Sequence, residues 1–371
     1  MPIFDSHLDL ASNALFLDRD LLLPLEELAA GERGMDDLPC RGHPTVSLPE
    51  MRRAGVRLCS PTVLARVRPQ IRGTAVPRSA IDYVTGEAAH AMGLAQIAYY
   101  ELLAARGELA IITTAEELDA FARELPVGLA DSGSAPSDSV APTGCILSME
   151  GADPILSPDQ AALWWERGLR FASLVHYGVG RYAGGTGSTA GVTPEGRDLL
   201  RAFEELGIVL DLTHLSEPAF HEALEVFSGP VLASHNNCRS LVPGDRQFSD
   251  DQIRLIVERG GVIGVACDAW MLYPGWQRGV TQPQVVSLEA LVDHMDHICN
   301  LAGNADHVAI GSDLDGLFGW EQTPHDLRSI RDLQKVPQML RGRGYQDDQI
   351  AGIMYGNWIG YFRRNLPADG G

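Results

Sequence analysis

His7 and Asp9 stand two apart in FDSHLDL, residues 4–10, an otherwise apolar stretch. In a strand, side chains alternate faces with period two, so both point the same way. An imidazole and a carboxylate therefore share one side of an element that should be buried. Polar residues recur at the same place in later apolar runs: Glu150 closes ILSMEG, His176 closes RFASLVH and His214 closes GIVLDLTH. His235 closes PVLASH, and Asp313 and Asp315 close HVAIGSDLDG. Each of these groups, buried alone, would cost desolvation without a partner. Together, a His-x-Asp pair, a Glu and two further His suit two borderline divalent cations, above all zinc. In this reading His7 and Asp9 bind one ion, His214 and His235 bind the second, and Glu150 bridges them. Two ions held ~3.5–4 Å apart leave room for a shared hydroxide.

Such a set needs elements that bring six strand ends to one place. Eight short β-rich runs are present: PIFDSHLDL, VRLCSPTVL, TGCILSMEG, RFASLVHYG, GIVLDLTHL, PVLASHNNC, GVIGVACDA and HVAIGSDLDG. Most are separated by amphipathic helical patterns such as GEAAHAMGLAQIAYYELLAA and PEGRDLLRAFEELG. Near-continuous apolar strands alternating with helices indicate a parallel sheet covered on both faces. Eight such units predict a (β/α)8 TIM-like barrel over residues 1–371, whose strand C-termini converge on one mouth. Thr193-Pro194, Ser216-Glu217-Pro218 and Ser249-Asp250-Asp251 read as helix starts. Two loop insertions stand out, a polar one at 126–143 and a glycine-rich one at 178–193, the latter a candidate lid or pocket wall. An open doubly wound sheet would usually carry a glycine fingerprint after its first strand, and none is present.

The net charge of −20 argues against nucleic acid or an anionic membrane as a partner. No apolar run approaches the ~20 residues of a membrane helix. MPIFDSHLDL lacks a basic n-region and an apolar h-region, so a cytoplasmic location is expected. The six scattered cysteines read as reduced, buried thiols. No G-x-S-x-G, P-loop or H-E-x-x-H motif offers a competing chemistry. His294 and His297 read as helix surface, Asp315 as a turn residue, and Asp211 as structural or as a support behind the ligands.

The set resembles the renal (membrane) dipeptidase family, peptidase family M19 of the metal-dependent amidohydrolase superfamily, over nearly the whole chain. The segment from 191 to 239, with GVTPEGRDLLRAFEELGIVLDLTHLSE and VLASHNNCR, and the GSDLDG motif are the most specific parts. The resemblance implies a distorted barrel holding two zinc ions, usually in a homodimer. It implies that His7, Asp9 and Glu150 bind one zinc, and that Glu150, His214 and His235 bind the other. By the same resemblance His176 stabilises the developing oxyanion, Arg246 pairs with the substrate's terminal carboxylate, and Asp313 handles the proton for the leaving amine. After His176 the chain departs from its relatives, reading HYGVGRYAGGTGSTAG. Tyr177, Arg181 and Tyr182 are thus expected to bring a cation and two aromatics to the mouth, Tyr177 as a substrate contact.

The expected activity is hydrolysis of a dipeptide by a metal-bridging hydroxide, with tolerance of a D-residue at the C-terminal position. Two other expectations stand beside it. One is a metal-dependent hydrolase of another small amide, such as an N-acyl amino acid or a lactam. The other is a non-catalytic barrel, against which the complete ligand set argues.

Overall fold

The first barrel strand, β1 (Ile3–Leu8), is buried at every position, as a strand flanked by parallel neighbours and covered by helices must be. The computed structural model describes residues 1–68, 81–125 and 141–368. Further strands are β2 (Val56–Val63), β3 (two segments, Thr143–Cys145 and Leu147–Met149), β4 (Leu169–Ala172), β5 (Val209–Asp211), β6 (Val231–Leu232), β7 (Ile263–Val265) and β8 (Val308–Ile310). Their order is β6-β5-β4-β3-β2-β1-β8-β7, all parallel. A parallel bridge between Ala233 and Ile263 brings β6 to β7 and closes the barrel. Gly264 and Gly311 permit that closure. A β-carbon at either position would lie 2.1 or 1.9 Å from the Ser234 carbonyl oxygen. Ser6, on β1, reaches the same carbonyl, its hydroxyl donating to the Ser234 oxygen at 2.5 Å.

The eight expected strands are all present, and the helix starts fall where the caps stand. Thr193, Ser216 and Ser249 each accept a backbone N–H from the first turn of the helices Pro194–Leu206, Glu217–Val226 and Asp250–Glu258. Three short strands were not foreseen: Arg66–Val67 and Asp82–Tyr83, which pair with each other, and Leu109–Ile111, which pairs outside the barrel with the first half of β3. At two or three residues each is too short to show a period. Of the loop expected at 126–143, residues 126–140 lie outside the described residues, and Thr143 already belongs to β3. Among the described residues no helix is long and apolar enough to cross a membrane.

The bottom of the barrel is sealed by the helix Asn357–Asn365. Its Trp358 indole donates to the Ile310 carbonyl at 2.9 Å, and its Tyr361 hydroxyl to that of Val231 at 2.7 Å. Phe362 stacks on Phe4 and packs on Phe171, with centroids 5.7 and 5.6 Å apart. At the opposite end Asp315 is a brace, as expected of a turn residue. Its carboxylate accepts from the Thr45 and Val46 amides and the Thr45 hydroxyl, with Arg19 at 3.4 Å. Asp211 does the same for β5 and β6, accepting the amides of Thr213 and Ser234. All six cysteines are free and buried.

His294 corrects the sequence reading. It is fully buried, and its Nδ1 accepts the Cys238 amide at 3.0 Å. It lies on the apolar stripe of the helix Glu289–Ala302, beside Leu291, Met295 and Ile298, which all face the barrel wall. His297, one turn on, is partly exposed and meets Asp250 at 2.8 Å.

Candidate metal centre and active site

The C-terminal ends of β1, β3, β4, β5, β6 and β8 bring His7, Asp9, Glu150, His176, His214, His235 and Asp313 into one mouth. Glu150 is the centre. Its Oε1 lies 3.0 Å from His214 Nε2, 3.2 Å from His235 Nε2 and 3.6 Å from His176 Nε2. Its Oε2 faces the other way, 3.7 Å from His7 Nε2. His7 Nε2 in turn is 3.8 Å from both Asp9 Oδ2 and Asp313 Oδ1. His214 and Asp313 sit at φ 69° and 58°, a left-handed conformation that non-glycine residues adopt mainly where the surroundings impose it. Both project from the bend that ends their strand.

Burial sets the electrostatics. It drives the imidazoles of His176, His214 and His235 well below their ordinary pKa, and the charge of Arg246 adds to this. Burial acts in the same sense on His7 but is outweighed by Glu150, Asp9 and Asp313, which push it up to about 10. Burial raises Glu150 to about 7 and Asp313 well above the usual carboxylate range. Three carboxylates, Asp9, Glu150 and Asp313, thus crowd around one imidazole, that of His7. His7 Nε2 and Asp9 Oδ1 are buried with no hydrogen-bond partner. His214 and His235 point Nε2 at one another across 3.3 Å while both face a carboxylate oxygen. Such contacts make chemical sense when cations stand between the donors, and imidazole with carboxylate suits a borderline divalent metal. Three overlapping groups could hold one: His7–Glu150–His235, Glu150–His176–His214 and His7–Asp9–Asp313, the donor atoms of each within 4.8 Å of one another.

The centre opens into a cavity of about 280 Å³, a size suited to a small molecule. Arg246 and Tyr177 line it, as expected. Arg246 is a buried residue, 3% exposed. It donates Nη1 to Asn236 Oδ1 at 2.6 Å and Nη2 to the His235 carbonyl at 2.9 Å. The Tyr177 ring meets the edge of His176 at 4.7 Å. Arg181 and Tyr182 do not reach the mouth, contrary to expectation. Arg181 turns outward to Leu156 and Glu195, and Tyr182 is fully buried with its hydroxyl on the Ile155 carbonyl. The 178–193 loop folds on itself through bridges Val179–Gly184 and Ala183–Val192 and joins the end of β5 at Gly185–Leu215. It forms a wall whose Thr186 hydroxyl lies 3.0 Å from His214 Nδ1.

Sequence reasoning passed over further residues of the cavity, among them three charged ones. Asp268, at the end of β7, is buried, accepts Gln322 Nε2 at 2.9 Å, and is raised by burial to about 6. Its position in GVACDAW matches that of the other strand-end residues, so the signal was present. Arg278 donates to Gln322 from the far rim. Arg66, just beyond β2, reaches His176.

Residues 1–365 match the family described as membrane dipeptidase, peptidase family M19. An uncharacterised protein in the pqqA 5′ region of Klebsiella pneumoniae is 31% identical over 196 residues, 53% of this chain and 68% of its own length. The dipeptidase tcpJ of Claviceps purpurea is 30% identical over 203 residues, 53% of this chain and 44% of its own. These matches span about half the length of the fungal dipeptidases. Among solved structures, dipeptidase AC, a metallo-peptidase of family M19, superposes with a TM-score of 0.74 at 24% identity, covering 99% of both chains. A metallo-peptidase from Rhodobacter sphaeroides, liganded with a phosphinate mimic of the dipeptide L-Ala-D-Ala, gives 0.74 and 24% over 98% of this chain and 99% of its own. At that identity the two structures speak to the fold.

Proposed function

Because the chain belongs to the membrane dipeptidase family, peptidase family M19, we propose that it is a zinc-dependent dipeptidase that cleaves the one peptide bond of a free-acid dipeptide, a C-terminal D-residue included. The observation that carries this reading is Glu150, whose two oxygens face separate donor sets at the base of a small cavity. His7, Asp9 and Glu150 would hold one zinc ion, and Glu150, His214 and His235 the second. When bound, the pair supplies a water acidified to a pKa of roughly 7 as nucleophile and polarises the scissile carbonyl.

The chain's own groups do the rest. Arg246, already fixed at two points, offers its remaining N–H groups to the substrate's carboxylate, the planar match of guanidinium and carboxylate setting the register of the peptide bond. His176 donates to the oxyanion that develops as the carbonyl becomes tetrahedral. Asp313, which burial keeps able to hold a proton, passes one to the departing amine. Tyr177 closes the wall beside them and helps exclude bulk water.

Thr186 supports the site from behind. Replacing it by valine keeps the shape and removes the hydroxyl that orients His214. Such a loss is expected to weaken binding of the second zinc by roughly 10–100-fold, measured by competition with a chromogenic chelator. Unchanged affinity would mean that Thr186 is only a packing residue.

The proposed activity is tested by amine release from the zinc-loaded protein over a panel of L-L and L-D dipeptides with C-terminally amidated controls. Cleavage of the free acids and not of the amides supports it. If protein holding two metal ions cleaves no member, the dipeptidase reading fails and an N-acyl amino acid or lactam becomes the substrate class to test.

A further inference from the structure

Three imidazoles close on Glu150 Oε1, and what stands behind one of them differs in kind from what stands behind the other two. Behind His214 is the Thr186 hydroxyl, 3.0 Å from Nδ1, and behind His235 the Ser234 hydroxyl, 2.9 Å from Nδ1. A hydroxyl can accept a ring N–H provided its own proton goes elsewhere. Both have such an outlet, the His214 carbonyl and Thr213 Oγ1, each at 3.4 Å. Neutral His214 and His235 can therefore carry their protons on Nδ1 and turn the Nε2 lone pair toward the centre, as metal ligands must.

Behind His176 stands Arg66, its Nη1 3.1 Å from Nδ1. A guanidinium offers five donors and no acceptor. Nδ1 of His176 must therefore accept, and the one proton of the neutral ring resides on Nε2, the atom 3.6 Å from Glu150 Oε1. We propose that Arg66 is a positioning residue that locks His176 in the Nε2–H tautomer, so that the third imidazole is a hydrogen-bond donor aimed at the reacting centre and not a metal ligand. This rests on the reading of the mouth as the reaction centre and adds to it the device that separates a donor from two ligands of the same residue type.

The local fold is built to hold Arg66 in this role. Arg66–Val67 pairs in parallel with Asp82–Tyr83, and Arg66 stands directly opposite Asp82 in that register. Asp82 Oδ1 accepts from Arg66 Nε at 2.8 Å and lies 2.7 Å from Nη2. The Arg66 amide donates to the Ile81 carbonyl at 2.8 Å. Both side chains are largely buried, 15% and 12% exposed. With one edge of the fork taken by Asp82, Nη1 is left for His176.

The test is a long-range ¹H–¹⁵N correlation spectrum of the zinc-loaded protein labelled with ¹⁵N-histidine, with the His176→Asn variant identifying the His176 signals by their loss. The expected spectrum shows His176 protonated on Nε2, while His214 and His235 are protonated on Nδ1. In Arg66→Met the His176 signature should shift to mixed or Nδ1–H character with both zinc ions retained. In Arg66→Lys, which keeps a donor without an acceptor, Nε2–H should persist. For dipeptide hydrolysis, Arg66→Met should lower kcat by about 10²-fold, the scale of one lost oxyanion donor, with KM little changed and partial recovery in Arg66→Lys. His176 protonated on Nδ1, or zinc-bound through Nε2, in the wild-type spectrum would overturn the proposal. So would an unaltered tautomer in Arg66→Met. The spectrum does not depend on turnover, so a protein that cleaves no dipeptide yet shows the expected tautomers would sink the substrate assignment and leave the role of Arg66 standing.

Discussion

Glu150→Gln is expected to lower kcat/KM by at least about 10³-fold, since metal-assisted charge stabilisation is worth several kcal/mol and each 1.36 kcal/mol is a decade. The carboxylate uses both of its oxygens, Oε1 toward His214 and His235 and Oε2 toward His7. An amide of the same shape keeps one acceptor and replaces the other with an NH2 group that cannot ligate. One side of the centre then loses its shared ligand, and metal content should fall from two ions to one or none. The fold should survive, because the substitution is isosteric and removes one of the carboxylates crowded around His7. Metal analysis and circular dichroism on one preparation separate these effects. A variant that retains two ions and full turnover would remove Glu150 from the centre.

Arg246→Ala is the second large effect and acts on a different quantity. Removing one partner of a buried, hydrogen-bonded charge pair costs about 2–5 kcal/mol, so free-acid dipeptides should lose roughly 1.5 to 3.7 decades in kcat/KM. Zinc content should not change, since Arg246 touches the centre only through the His235 carbonyl. The informative contrast is with amidated dipeptides, whose residual rates should be the same in both proteins because they never engage the guanidinium. Equal losses on acids and amides would make Arg246 a support for His235, and the carboxylate clamp would have to be sought at Arg278 on the far rim.

The barrel and its centre were legible because their signal is local. An apolar run that ends in His or a carboxylate violates the pattern of a buried strand, and six such violations at one end specify a mouth. Asp268, at the end of β7, carried the same signal as a seventh and was passed over. The misses at Arg66, Thr186 and Gln322 have another cause. Arg66 works only because a two-residue ladder sets it opposite Asp82, sixteen positions on. Thr186 works because its loop doubles back onto β5, and Gln322 because it crosses to Asp268, 54 positions away. No period or motif encodes such meetings. Arg181 and Tyr182 show the converse: residues adjacent in sequence to the site are turned outward or into the core by the bridges of their loop. His294 was misread for a simpler reason, since its type suggested surface while its helical position put it among Leu291, Met295 and Ile298.

The seam of the barrel also sets a timetable for biosynthesis. β1 lies between β2 and β8, paired at Asp5 with Ile310, and the Ser312 amide donates to the Asp5 carboxylate at 2.8 Å. Translation at roughly 5–20 residues per second leaves the first strand waiting on the order of 15 s to a minute for that neighbour. During this interval the growing sheet from β1 to β6 has two open edges, the state in which nascent parallel strands are most exposed to wrong partners. The side chains proposed as metal ligands, at the ends of β1, β3, β5 and β6, are all made before the strands that shut the ring. Gly264 and Gly311 come in with those last two strands, and their lack of a side chain leaves room for the Ser234 carbonyl already in place.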